Sequence, residues 1–85
     1  MKTELDIPEY DPAEGVRLPI VSGAVIESVV AGGELVIRGN AAGLRLLAGH
    51  LLALAQPGVP AGSHVHYDAG GTLEDGSAPF IFERA

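Results

Sequence analysis

The sequence predicts an α+β fold: a two-layer domain with an antiparallel sheet of four to five strands and one helix packed on one face, in the order ββαββ. Three observations point to it. Residues 24–38 hold two runs of β-branched and apolar residues around an Ala31-Gly32-Gly33 turn. Residues 41–55 carry Leu and Ala at helical spacing. Residues 63–68 and 79–84 alternate polar and apolar side chains, the pattern of half-buried strands.

Taken in order, residues 1–23 form an acidic N-terminal segment and residues 24–84 the ββαββ core of a single domain, 1–85. Glu4, Asp6, Glu9, Asp11 and Glu14 lie in the first stretch together with Pro8 and Pro12. Leu5 and Ile7, on to Tyr10, suit a short edge strand, since Pro is tolerated at sheet edges. Asp11-Pro12-Ala13-Glu14-Gly15 reads as a turn. Val16 to Val21 reads as a further extended piece, interrupted by Pro19.

Ala24 to Val30 is the first core strand, because β-branched residues fit a pleated, half-buried surface. The two glycines that follow accept positive φ. Glu34 to Arg38 returns, with Leu35 and Ile37 on one face and Glu34, Val36 and Arg38 on the other. Asn40 is a favoured N-cap. The helix runs from Ala41 to Ala55, with Leu44, Leu47, Ala48, Leu51, Leu54 and Ala55 as its core stripe. Arg45, Leu46, Gly49, Ala53 and Gln56 are expected on the far side. Ser63 to Asp68 and Pro79 to Arg84 complete the sheet, with Val65, Tyr67, Phe80 and Phe82 inward. Leu73 pins the Gly-rich loop 69–78 between them. One helix covers one face of such a sheet, so the other face meets solvent or a partner.

Composition narrows function. Eighty-five residues make one small domain with a thin core. There is no Cys, which excludes disulfides, a thiol nucleophile and thiolate-held metal. Eleven acidic residues face five basic ones, for a net charge of −6. Lys2, Arg17, Arg38, Arg45 and Arg84 are scattered, so nucleic acid, which requires phosphate-neutralising cations, is not an expected ligand. A charge-selected partner is expected to be basic. No apolar run approaches the ~20 residues of a membrane span, and residues 1–6 lack signal-peptide character. A soluble, cytoplasmic protein is expected.

Chemistry-bearing residues are few. His64, His66 and Asp68 share a strand face. Two imidazoles at i and i+2, about 6.6 Å apart along the strand, can grip a metal, with Glu34 or Glu83 as the nearest source of a third ligand. Asp68 lies too far along the strand to join His64. The simpler reading is a recognition surface, and no metal or cofactor is expected. His50, on the helix, is a poor ligand candidate. Ser63 and His64 are adjacent, so on a strand they point to opposite faces and cannot form a dyad. Gly39-Asn40-Ala41-Ala42-Gly43 opens a helix but lacks the Lys and Ser/Thr of a phosphate loop. Glu74 and Asp75 are neighbouring loop carboxylates. No enzymatic activity is expected.

Two blocks resemble a known family. Leu35-Val36-Ile37-Arg38-Gly39-Asn40-Ala41-Ala42-Gly43-Leu44-Arg45-Leu46-Leu47-Ala48 is similar to the strand, turn and helix of the immunity protein 32 family of bacterial polymorphic toxin systems. So is Ser63-His64-Val65-His66-Tyr67-Asp68, followed by Leu73-Glu74-Asp75-Gly76-Ser77-Ala78-Pro79-Phe80-Ile81-Phe82. The resemblance covers about residues 34–84. It implies a small cytosolic inhibitor that binds a cognate protein toxin and needs no catalytic residues. An acidic inhibitor suits a basic toxin. The expected partner-binding residues are His64, His66, Asp68, Glu34 and Arg38 on the open face, with Glu74 and Asp75 on the adjoining loop. The alternative is a small non-catalytic homo-oligomeric scaffold or regulatory module, pairing through the open face or an edge strand as a homodimer or larger assembly.

Overall fold

The computed structural model describes all 85 residues. Strands β1 (Ile26–Ala31) and β2 (Glu34–Gly39) form an antiparallel hairpin with Ala31 opposite Glu34. Its turn residues, Gly32 and Gly33, have φ of 60° and 80°, the left-handed pair that matches strand twist in a two-residue loop.

Helix α1 (Ala41–Leu54) begins where predicted. The Asn40 side-chain oxygen accepts from Gly43 N at 2.7 Å and Val25 N at 3.0 Å, and its amide donates to Gly23 O at 2.9 Å. One side chain thus satisfies an orphan helical N–H and ties the helix start to the chain entering β1. At the other end, Arg84 Nη1 donates to Leu54 O at 2.7 Å and Gln56 O at 3.1 Å. A cation there meets carbonyls at the helix end and the negative end of the helix dipole.

Strands β3 (His64–Tyr67) and β4 (Phe80–Glu83) form a second antiparallel hairpin, with Tyr67 opposite Phe80. The α+β class and the ββαββ order stand. The single sheet of four to five strands does not: there are two two-stranded sheets. They are joined by residues 74–78, which lie along the outer edge of β1. Glu74 N donates to Ile26 O at 2.8 Å and Ala78 N to Ser28 O at 2.9 Å. Ser28 N donates to Ser77 Oγ at 3.2 Å, and the Ser28 hydroxyl donates to Ala78 O. The strap takes the bonds a neighbouring strand would take, but one acceptor is a side chain, which breaks the regular ladder.

The core gathers Ile26, Leu46, Leu47, Tyr67 and Leu73, with Ile37, Val65, Phe80 and Phe82 packed against it. Tyr67 is completely buried, stacked on Phe80 at 4.6 Å and edge-on to Phe82 at 5.0 Å. Leu73 pins the loop as expected.

The helix stripe needs correction. Leu47 and Leu54 are buried, but Leu44 and Leu51 are 53% and 48% exposed and Ala55 is exposed. In their place Leu46, Gly49, His50 and Ala53 are buried. The cause is the N-terminal segment, which packs along this side of the helix. A Cβ on Gly49 would meet Pro19 Cγ at 2.7 Å, and one on Gly43 would meet Val25 O at 2.5 Å. Both glycines therefore mark places where chain crosses closely over the helix. Leu35 is likewise half exposed, opposite exposed Val30 near the hairpin tip.

No strand forms at residues 5–10 or 16–21. Gln56 takes the backbone groups a strand neighbour would have used: its Oε1 accepts from Tyr10 N at 2.8 Å, and its Nε2 donates to Pro8 O at 3.1 Å. The Asp11–Gly15 turn is present, with Gly15 N on Asp11 O at 2.8 Å.

Candidate functional surface

Strand parity on β3 sends Val65 and Tyr67 inward and leaves His64 and His66 exposed on the outer face. The two imidazoles meet edge-on, 4.9 Å between centroids. His64 Nδ1 lies 2.8 Å from Gly62 O. A carbonyl only accepts, so Nδ1 is the donor in this bond and Nε2 is left facing solvent. Ile81 and Glu83 stand opposite on β4 and are exposed. The hairpin face therefore mixes imidazole, carboxylate and aliphatic groups.

Asp68 follows β3, exposed, and its carbonyl accepts from Gly71 N and Leu73 N, both at 3.1 Å. These bonds, the buried Leu73 and the strap on β1 hold the 69–78 loop at several points. Glu74 and Asp75 are thus exposed carboxylates on an anchored loop.

Arg38 lies on the other hairpin, paired at 2.7 Å with Glu27 directly across the strands. Asp75 reaches the same surface: Glu27, Ser28, Arg38, Asp75 and Ser77 line a shallow cleft of about 310 Å³. Glu34 sits at the start of β2, beside the turn. The expected residues thus fall into groups: His64 and His66 on β3, Arg38 with Asp75 in the cleft, and Glu34 at the hairpin tip. Glu27, which holds Arg38, was not singled out in the sequence. Cross-strand pairing was its signal, because a two-residue turn at Gly32-Gly33 places residues 27 and 38 opposite.

No cluster of three or more His, Asp or Glu side chains is arranged to hold a metal ion. No helix is long and apolar enough to cross a membrane.

His50 has a different role from the exposed imidazoles. Its Nε2 meets Pro19 O at 3.2 Å and its Nδ1 meets Tyr67 OH at 2.7 Å. Pro19 O is an acceptor, so Nε2 carries the proton and Tyr67 donates to Nδ1. The chain Tyr67–His50–Pro19 links β3, the helix and the N-terminal segment. Burial lowers the His50 pKa below 6.5, against a smaller opposing effect of the Pro19 carbonyl, and raises Tyr67 to about 12. Both groups are neutral at pH 7, as a desolvated pair should be.

The scaffold is a small α+β domain with exposed polar side chains on two hairpins and an anchored loop. Its lineage is shown by comparison: residues 34–85, well over half of the chain, match the family model described as Immunity protein 32, and the chain belongs to that family. No curated protein and no solved structure gives a significant match.

Proposed function

We propose that this protein is an immunity protein that neutralises a cognate bacterial toxin by direct binding in the cytoplasm. Membership of the Immunity protein 32 family carries the reading. The surface supports it. A net charge of −6 steers a basic toxin surface towards the domain and speeds encounter. The contact region is the outer face of β3 with Asp68 and the 69–78 loop. There His64, His66, Glu74 and Asp75 offer polar side chains on a hairpin and an anchored loop, which limits the entropy lost on binding. The mode is occlusion, with no catalytic step.

Co-expression tests the reading. The product of a toxin-like reading frame, sought next to the gene for this chain, is produced in a sensitive bacterial host with and without it. Restored growth together with a co-purifying complex supports the proposal. Killing that persists despite folded immunity protein, or rescue without a complex, rejects it. His66→Ala and Asp68→Ala should each weaken the complex by about 1–3 kcal/mol if central to it, with unchanged melting of the free protein.

A further inference from the structure

We infer that the free edge of β2 pairs antiparallel with β2 of a second copy, about a two-fold axis at Val36, to form a homodimer.

The argument starts from backbone parity. Along β1, Ile26 O and Ser28 N and O bond outward to the 74–78 strap. Ile26 and Ser28 therefore point their backbone groups away from β2, and so does Val30 by alternation. Their register partners Gly39, Ile37 and Leu35 must then point theirs the other way, off the far edge of β2. None of these groups is bonded outside the hairpin. The edge is six residues long and holds no Pro, Lys or bulge, three devices that block edges; its two charges, Glu34 and Arg38, are of opposite sign. The other outer strand, β3, has four residues.

Only registers that set outward residues against outward residues make hydrogen bonds. Centring the two-fold on Val36 places Leu35 against Ile37 of the second copy, and Ile37 against its Leu35, as hydrogen-bonded pairs. Val36 then meets its own copy as a close non-hydrogen-bonded pair. Glu34 falls directly opposite Arg38 of the second copy, twice per dimer. Moving the axis to residue 35 or 37 loses both charge pairs and shortens the overlap. Charge complementarity thus selects one register, and oppositely charged cross-strand pairs are stabilising. Arg38 would lie between Glu27 of its own chain, 2.7 Å away, and Glu34 of the other. Val36, Leu35 and Leu44, the last packed over Gly39, are exposed along this edge and become covered.

Sedimentation equilibrium on the full chain tests this, with a charge-exchange experiment. Wild type should approach twice 8.7 kDa as concentration rises. Glu34→Arg and Arg38→Glu should each weaken self-association at least about tenfold, since each sets like charges opposite. Mixed in equal amounts, the two variants should re-form a dimer, because every Arg then faces a Glu. In the cysteine-free chain, Val36→Cys should cross-link to a covalent dimer on mild oxidation, because a close antiparallel pair allows disulfide geometry. Val29→Cys, exposed on β1, should not. A wild-type chain that stays at 8.7 kDa up to about 1 mM, the weak end of measurable association, overturns the inference. So does failure of the mixed variants to associate while both melt as wild type. Toxin binding enters none of these readouts, so failure here leaves the proposed function standing.

Discussion

Deleting one oxygen atom, by Tyr67→Phe, tests the link between the N-terminal segment and the core. The ring remains, with its stacking on Phe80 at 4.6 Å and its contact with Phe82. The hydroxyl that donates to His50 Nδ1 at 2.7 Å is lost. His50 is buried, and Nε2 keeps its proton for Pro19 O, so Nδ1 becomes an acceptor without a donor. A buried polar atom left unsatisfied costs about 1–3 kcal/mol. At about 2 kcal/mol, a domain of this size should melt roughly 8–16 °C lower. The measurement is a thermal melt followed by far-UV circular dichroism at pH 7.5, with urea titration as a check. The double variant Tyr67→Phe/His50→Leu removes both ends of the bond and should cost less than the sum of the two single changes. A Tyr67→Phe melt within a degree of wild type, or strict additivity in the double variant, would refute the assigned pairing.

Four further outcomes are expected. Because His50 titrates below its unfolded value of 6.5, the unfolded chain binds more protons just under pH 6.5. Its share of stability is full above that pH and falls as pH drops towards the folded value; a urea midpoint flat from pH 7.5 to 5 would contradict this. Tyr67, raised from 10.0 to about 12, should cost the fold stability as pH rises from 10 through 12, and Tyr67→Phe should flatten that limb. Leu47→Ala, at a 7% exposed position, should cost about 2–5 kcal/mol and come close to unfolding a domain this small, whereas Leu51→Ala should cost under about 1 kcal/mol; equal losses in chemical denaturation would return Leu51 to the core. Gln56→Ala removes the bonds to Tyr10 N and Pro8 O and should speed limited proteolysis within residues 1–15 while hydrogen exchange in the helix stays slow; unchanged cleavage would show that Gln56 does not anchor the segment.

Much of the fold was legible in the chain, and the legible parts share a cause. The Asn40 cap, the Gly32-Gly33 turn, the limits of α1 and the inward parity of Tyr67 and Phe80 depend on residues a few positions apart. Backbone geometry acts at that range. Outward strand parity alone places His64 and His66 on an exposed face. The same reasoning failed on the helix face. Leucines at 44, 46, 47, 51, 52 and 54 surround α1, so spacing does not choose which are buried. That choice falls to distant chain: Pro19 crossing at Gly49, Val25 and Ile26 closing on Gly43. Gly49, expected on the far side of the helix, is part of the contact surface.

The site divides in the same way. Composition and parity determined an acidic, cysteine-free domain with exposed imidazoles and loop carboxylates. Whether Arg38 and Asp75 share a cleft while Glu34 stands at the hairpin tip was decided by the strap at residues 74–78, whose bonds to Ile26 and Ser28 span some fifty positions of sequence. The strap also closes one edge of the hairpin and leaves the other free. Local rules fix which way a side chain points along its own strand. They carry no information on which strand edge a remote segment will occupy, because that depends on the competition of all the chain's unpaired backbone groups for partners in the folded state.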